Sequence, residues 1–491
     1  MTVIRLDPDG LANLASTALA KGTEAEVAPL LDKAAREART NARLWQWAGL
    51  LHRGLDEHEQ ALEAFASAAR RAPDDASIAH GHARVALEAG LDARPLYDRA
   101  LGLGPSGDVI LGRAAARYAM GEGAQATAEL AAILESNPLW AQGHAQWAQL
   151  ASMIGCAGEA TETIDWALGR HPLEVSLWQT AVQILVSAER HADAWSRAEA
   201  AMAATGNRPA FGLVHAAALS DAGELERAAT AFALLGEPDT VDHAIHLARY
   251  QIRAGEWNAL SALANRWMAG DHGHQFWPYA SIAWRQSGDE RWQWLEGDER
   301  LVQVIDLGPK HPSLEKLADR LRRLHDQSGR FLDQSVRGGT QTDGPLLSRI
   351  DPEIRALRTV IVEAVEAYRV QLPPVDLAHP MLRHRRDGRV RFAGSWSVRL
   401  DGAGFHSHHV HPQGWISSAL YIAVPEGLAG DEGWLTLGEP QHELGLSMPP
   451  LRRIAPKPGQ LVLFPSMMWH GTLPFRQGER MTVAFDVAPP R

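Results

Sequence analysis

The sequence predicts an α-solenoid followed by an all-β domain with helical support. Two observations carry this. The first half is rich in Ala, Leu and Glu and repeats itself about every 34 residues; from Val390 onward the apolar period shifts to two. A third bounds the answer: 491 residues exceed what one core of usual size serves, so several domains are expected.

The repeat is read from Ala61, Ala93, Ala126, Ala160, Ala194 and Ala228, separated by 32, 33, 34, 34 and 34 residues. Twelve residues before each stands a compact residue: Gly49, Gly81, Ala114, Ala148, Val182 and Ala216. Four residues after each stand Phe65, Tyr97, Leu130, Ile164, Ala198 and Phe232, and Pro73, Pro105, Pro138 and Pro172 close the first four units. Small side chains let paired helices approach, the larger residue fills the gap, and proline stops the second helix. The pattern resembles the tetratricopeptide repeat over about residues 41–242, after an N-terminal helical segment at 1–40. One such helix pair cannot bury its apolar stripe alone, so the units are expected to stack.

Residues 243–304 fit the repeat poorly and read as a degenerate repeat, cap and linker. Trp267, Trp277, Trp284, Trp292 and Trp294 crowd there, and are expected to pack the solenoid end against the next domain. At 305–491 come turn residues (DLGPKHPS), a polar loop at 333–345, and a helix over about 351–371 with Ile354, Leu357, Ile361 and Val365 on one face. Strand-like runs follow around Trp396–Leu400, then ISSALYIAV, GWLTL, GQLVLF and ERMTVAFDV, which read as a sandwich, jelly roll or small barrel.

Composition narrows the function. A net charge of −11 argues against a protein that grips nucleic-acid phosphates. The basic run LRHRRDGRVRF at 382–392 therefore reads as a solvated hairpin, with attraction of an acidic substrate as the other use. The lone Cys156 excludes an intramolecular disulfide framework and a cysteine-based zinc cluster. No signal peptide or membrane-length apolar run is evident, so a soluble cytoplasmic protein is expected.

The chemistry-bearing stretch is GAGFHSHHVHPQGW at 402–415, followed about sixty residues later by His470 in LFPSMMWHGTLPF and ten residues after that by Arg480. Imidazole suits first-row transition metals, and an H-x-H pair can meet a distant histidine only if a sheet brings the strands together. Over about residues 330–491 this constellation resembles the double-stranded β-helix (jelly-roll) oxygenases that use Fe(II) and 2-oxoglutarate. The stretch HVHPQGWISSALYIAVP also resembles a bacterial and phage branch with H-x-H-P motifs and GGTQT-like loops upstream, here Gly338–Thr342.

The resemblance implies His409, His411 and His470 as metal ligands, with Arg480 pairing with the far carboxylate of 2-oxoglutarate. Thr482 would assist the arginine, and Tyr421 either hydrogen-bonds the cofactor or fills the barrel. It implies further that O2 and 2-oxoglutarate become succinate and CO2 while a C–H bond is hydroxylated. One position departs from the wider pattern, since His411 stands where a carboxylate is usual. Asp401 or Asp486 remains open as an oxygen ligand, and His406 and His408 as further ligands or outer partners. Two other functions compete: an interaction scaffold on a degenerate oxygenase fold, and a three-histidine cupin-like dioxygenase that needs no 2-oxoglutarate and has no evident use for Arg480. A solenoid groove favours a peptide or protein substrate.

Overall fold

The computed structural model describes residues 7–38, 40–307, 313–326, 329, 332 and 335–490. Most of the DLGPKHPS turn, and residues 333 and 334 of the expected polar loop, lie outside the described residues. The N-terminal part is a tetratricopeptide-like stack of antiparallel helix pairs running from Pro8–Lys21 to Trp277–Ser287. Within each pair the chain reverses at a residue of positive φ: Gly22, Asp56, Gly90, Gly121, Gly155, Glu189, Gly223, Gly255 and Gly288, at intervals of 31 to 34 residues. That conformation costs glycine little, which explains seven of the nine.

Packing follows the sequence pattern. Phe65 is 1% exposed and wedges between Gly49 of its own pair and Gly81 of the next; a Cβ on Gly49 would come within 2.7 Å of the ring. Ala61 lies within the helix His58–Arg71, whereas Ala93 and Ala160 fall just before their helices, Arg94–Leu103 and Glu162–Arg170; all three are buried. The helical pairing continues past 242 with Val241–Ala254 and Trp257–Met268. The tryptophans do join the two parts. Trp284 packs in one cluster with Met467, and Trp294 Nε1 donates to Asp376 at 2.9 Å.

The C-terminal part contains nine strands among the described residues: β1 (Gln303–Asp306), β2 (Val336–Gln341), β3 (Phe392–His406), β4 (Ile416–Ala423), β5 (Leu435–Leu437), β6 (Arg452–Ile454), β7 (Gln460–Pro465), β8 (His470–Thr472) and β9 (Arg480–Val487). They form a six-stranded antiparallel sheet, β1-β7-β4-β9-β3-β2, and a three-stranded one, β6-β5-β8. Tyr421, Leu435, Leu437, Val462, Phe464 and Met468 pack between the two. The outer face of the large sheet is covered by the helices Leu314–His325 and Pro352–Gln371; Ile354, Leu357, Ile361 and Val365 are fully buried against it, as their spacing requires.

Two expectations are corrected. Residues 336–341 of the expected loop are strand, because β2 pairs with β3 through backbone groups and Gly339 lets the chains approach where a Cβ would strike Arg399 O. The run 382–392 is not a solvated hairpin. Arg391 bonds Glu24 and the carbonyls of Gly22 and Gly54, Arg389 bonds Glu57 and Leu55 O, and Arg386 caps the carbonyls of Leu372 and Pro373. The run looks solvated in sequence because sequence shows charge but not the carbonyl-rich turns that meet it.

His325 offers a test of this packing. Its Nδ1 and Nε2 face Thr340 Oγ1 and Ser397 Oγ at 2.9 and 3.0 Å. Burial, with Arg399 nearby, pushes its pKa down to about 4. The unfolded chain takes up this proton near pH 6.5 and the folded chain does not, so stability falls as the pH drops from about 6.5 toward 4. The loss from this residue is expected to reach about 3 kcal/mol. His325→Gln should flatten denaturant-measured stability over that window; an unchanged profile would contradict the assignment.

Candidate metal centre

Strand geometry places the histidines. β3 ends at His406, and the chain then bridges to β8: His409 N donates to His470 O at 2.9 Å, and His470 N to His409 O at 3.0 Å. His411 N donates to Ser466 O at 3.0 Å, just past the end of β7. The side chains of His409, His411 and His470 consequently converge, with one ligand atom of each within 4.8 Å of the others. Ring centroids lie 4.3 to 5.0 Å apart.

Each imidazole is held from behind. His409 Nδ1 meets Ser407 O at 2.8 Å, and His470 Nδ1 meets Met468 O at 2.9 Å. A carbonyl can only accept, so both Nδ1 atoms carry the proton and both Nε2 atoms offer a lone pair. His411 Nδ1 lies 2.5 Å from the Asp486 carboxylate, which fixes the same tautomer. Burial, reinforced by the neighbouring histidines, holds the pKa values of His409 and His470 well below the ordinary value, which keeps these rings neutral, as ligation requires.

The residues left open are now located. Asp401 is exposed on β3. His406 borders the cleft with its ring 6.3 Å from that of His409, but its Nδ1 faces Ser335 Oγ at 3.3 Å. Burial, with Arg480 adding to it, pushes its pKa down to about 3. His408 is turned aside to Thr436 and Glu439. Among the described residues the cluster is His409, His411 and His470 alone.

β9 supplies the rest of the floor. Its period of two puts Met481, Val483, Phe485 and Val487 into the helix-covered core, and Arg480, Thr482, Ala484 and Asp486 along the cleft. Arg480 is 2% exposed, its guanidinium carbon 5.3 Å from the centre of the Tyr421 ring. Among the described residues it has no carboxylate partner, and both Arg480 Nε and Tyr421 OH lack hydrogen-bond partners. Burial pushes the arginine pKa down and the tyrosine pKa up. A buried cation without a countercharge is costly and calls for an anion. The donor set and this guanidinium without a carboxylate partner fit a divalent first-row metal with a dicarboxylate beside it.

The opposite wall of the cleft, about 1040 Å3 in volume, comes from the solenoid, with Glu189, Asp221, His246 and Arg249 facing the sheet residues. Arg337 on β2 pairs with Glu189 across it. The sequence reading missed Asp486 as a partner of His411, although its spacing of six from Arg480 puts both on one strand face. It also missed Trp396, whose ring lies 5.4 Å from that of His411.

Among solved structures, a tetratricopeptide repeat protein from Parabacteroides merdae ATCC 43184 is 19% identical, covering 48% of this chain and 95% of its own, with a TM-score of 0.31. A Pseudomonas putida prolyl-4-hydroxylase is 16% identical, covering 38% of this chain and 92% of its own, with a TM-score of 0.26. No curated protein matches the chain. No helix among the described residues is long and apolar enough to cross a membrane. The segment holding the three histidines, Arg480 and Asp486 is the part with a family match: residues 394–486 match the family described as "Putative 2OG-Fe(II) oxygenase".

Proposed function

We propose that the chain is an Fe(II)- and 2-oxoglutarate-dependent dioxygenase that hydroxylates a peptide or protein segment admitted between the repeats and the sheet. The observation that carries the reading is Arg480: a buried guanidinium with no carboxylate partner among the described residues, on the strand face that also holds the carboxylate behind His411. In this reading His409, His411 and His470 hold the metal, and Arg480 binds the far carboxylate of 2-oxoglutarate through paired hydrogen bonds. Thr482 lines that end of the pocket and offers a hydroxyl, and Tyr421, buried between the sheets, sets its ring beside the Arg480 guanidinium. When bound, iron and 2-oxoglutarate supply the oxidising power for an unactivated C–H bond, with O2 consumed and succinate and CO2 released. The buried Phe464 and Leu435, with the half-buried Trp396, form apolar walls that limit the water reaching the site.

A protein substrate is favoured because one wall of the cleft is made of repeat helices. Residues of the repeats and of the sheets line the same cleft, so a chain bound there would meet both. The double-stranded β-helix designation belongs to the same proposal, supported by the two facing antiparallel sheets.

Anaerobic addition of Fe(II) and then 2-oxoglutarate to the full chain tests the reading. A visible charge-transfer band, and succinate formation on admitting O2, are expected. Iron binding without a band or succinate would favour the three-histidine enzyme that dispenses with 2-oxoglutarate. No iron binding would leave the scaffold.

A further inference from the structure

We infer that Asp486 is a positioning residue that gives the metal centre, through the imidazole of His411, the negative charge that a directly ligating carboxylate would otherwise provide. The inference rests on the proposed metal site.

The three histidines are not equivalent on their far sides. His409 and His470 each donate to a neutral backbone carbonyl, whereas His411 donates to a carboxylate at 2.5 Å. Asp486 is itself 8% exposed, and its other oxygen accepts from Ser417 Oγ at 2.5 Å. Ser417 Oγ is tied in turn to Ser466 Oγ at 3.0 Å, the residue whose carbonyl accepts from His411 N. Both carboxylate oxygens are thus fixed, and so is the ring they hold.

No arginine or lysine among the described residues pairs with Asp486, although Arg480 lies on the same strand face. A largely buried carboxylate held only by a hydroxyl and an imidazole N–H lacks a full countercharge. The place for that charge is beyond His411 Nε2, where the three lone pairs meet. The balance is simple: a divalent ion on three neutral imidazoles carries two positive charges, and Asp486 one bond further out brings the assembly to one. A carboxylate accepting from Nδ1–H also makes the imidazole a stronger donor and fixes its orientation.

Asp486→Asn is the test, since the amide oxygen can still accept from His411 Nδ1 while the charge is lost. Competition titration with Mn(II) and Fe(II) should show one metal per chain in both proteins, with affinity 10- to 100-fold lower in the variant. The Fe(III)/Fe(II) midpoint potential should rise, because the oxidised ion loses more from removal of a negative charge. Circular dichroism of the metal-free proteins reports whether the fold is kept. If the Asn variant fails to fold, Asp486→Ala in the presence of formate supplies a second route, and formate should restore part of the lost affinity. Equal affinity and an unchanged potential in Asp486→Asn, or an Ala variant indifferent to formate, would overturn the inference and leave the metal site standing. Wild-type protein that binds no metal would instead overturn the site.

Discussion

His470→Ala is expected to abolish stoichiometric Fe(II) binding, whereas Arg480→Ala should keep the iron and weaken 2-oxoglutarate by about 10- to 150-fold. The contrast follows from geometry. His470 is joined to His409 by two backbone bonds and contributes one of three converging nitrogens; two imidazoles do not retain a metal under dilute conditions. Arg480 lies on the same cleft but outside that cluster. Charge-assisted hydrogen bonds contribute about 1.5–3 kcal/mol, which converts to the stated range. Arg480→Lys should fall between, because the ammonium keeps the charge and loses the two-pronged geometry. Titration of the Fe(II)–2-oxoglutarate band measures both quantities. Unchanged cofactor affinity in Arg480→Ala would show that another residue anchors the carboxylate.

Arg391→Ala should destabilise the protein by about 3–5 kcal/mol, the usual cost of leaving a buried charge without its partner. Glu24 is 1% exposed, and both its oxygens bond Arg391, which also reaches the carbonyls of Gly22 and Gly54. Loss of the arginine strands a carboxylate between the first helix pair and the sheet domain. Adding Glu24→Gln to Arg391→Ala should recover part of the loss, since the stranded charge then disappears. Urea unfolding of the single and double variants checks both statements. Equal midpoints for wild type and Arg391→Ala would mean the pair contributes nothing.

How much of this was legible in the sequence depended on whether the signal was periodic. Helix pairs repeat every 33 or so residues, and Phe65 with Gly49 and Gly81 reads as a packing unit from spacing alone. The histidine motif was legible because H-x-H at a strand end has few structural uses. Sequence shows Asp486 as an alternating strand residue and leaves it open as a ligand. Its role behind His411 depends on the β3–β9 and β4–β9 registers, which no local pattern specifies. The arginines of 382–392 escape a local reading for a related reason: the partners of Arg389 and Arg391 lie more than 300 residues away at Gly22, Glu24, Gly54, Leu55 and Glu57.

The contacts between turns and sheet domain change what kind of object the repeat array is. In a free array each repeat touches only its neighbours, so units can be gained or lost and the stack can stretch or unfold from an end. Here Arg391 holds the turn at Gly22 and Gly54, Arg389 that at Leu55, and Arg349 and Ile350 that at Ala89 and Gly90. Further along, Arg337 takes Glu189, Glu443 O takes Arg253, and Arg285 takes the carbonyls of Gly438 and Pro449. The later half of the chain acts as a template against which the earlier half is measured off. Duplicating or deleting one repeat would put every following turn opposite the wrong anchor, so copy number is fixed by the neighbour rather than by the repeats. The array is a splint, not a spring, and is expected to melt together with the sheet it braces.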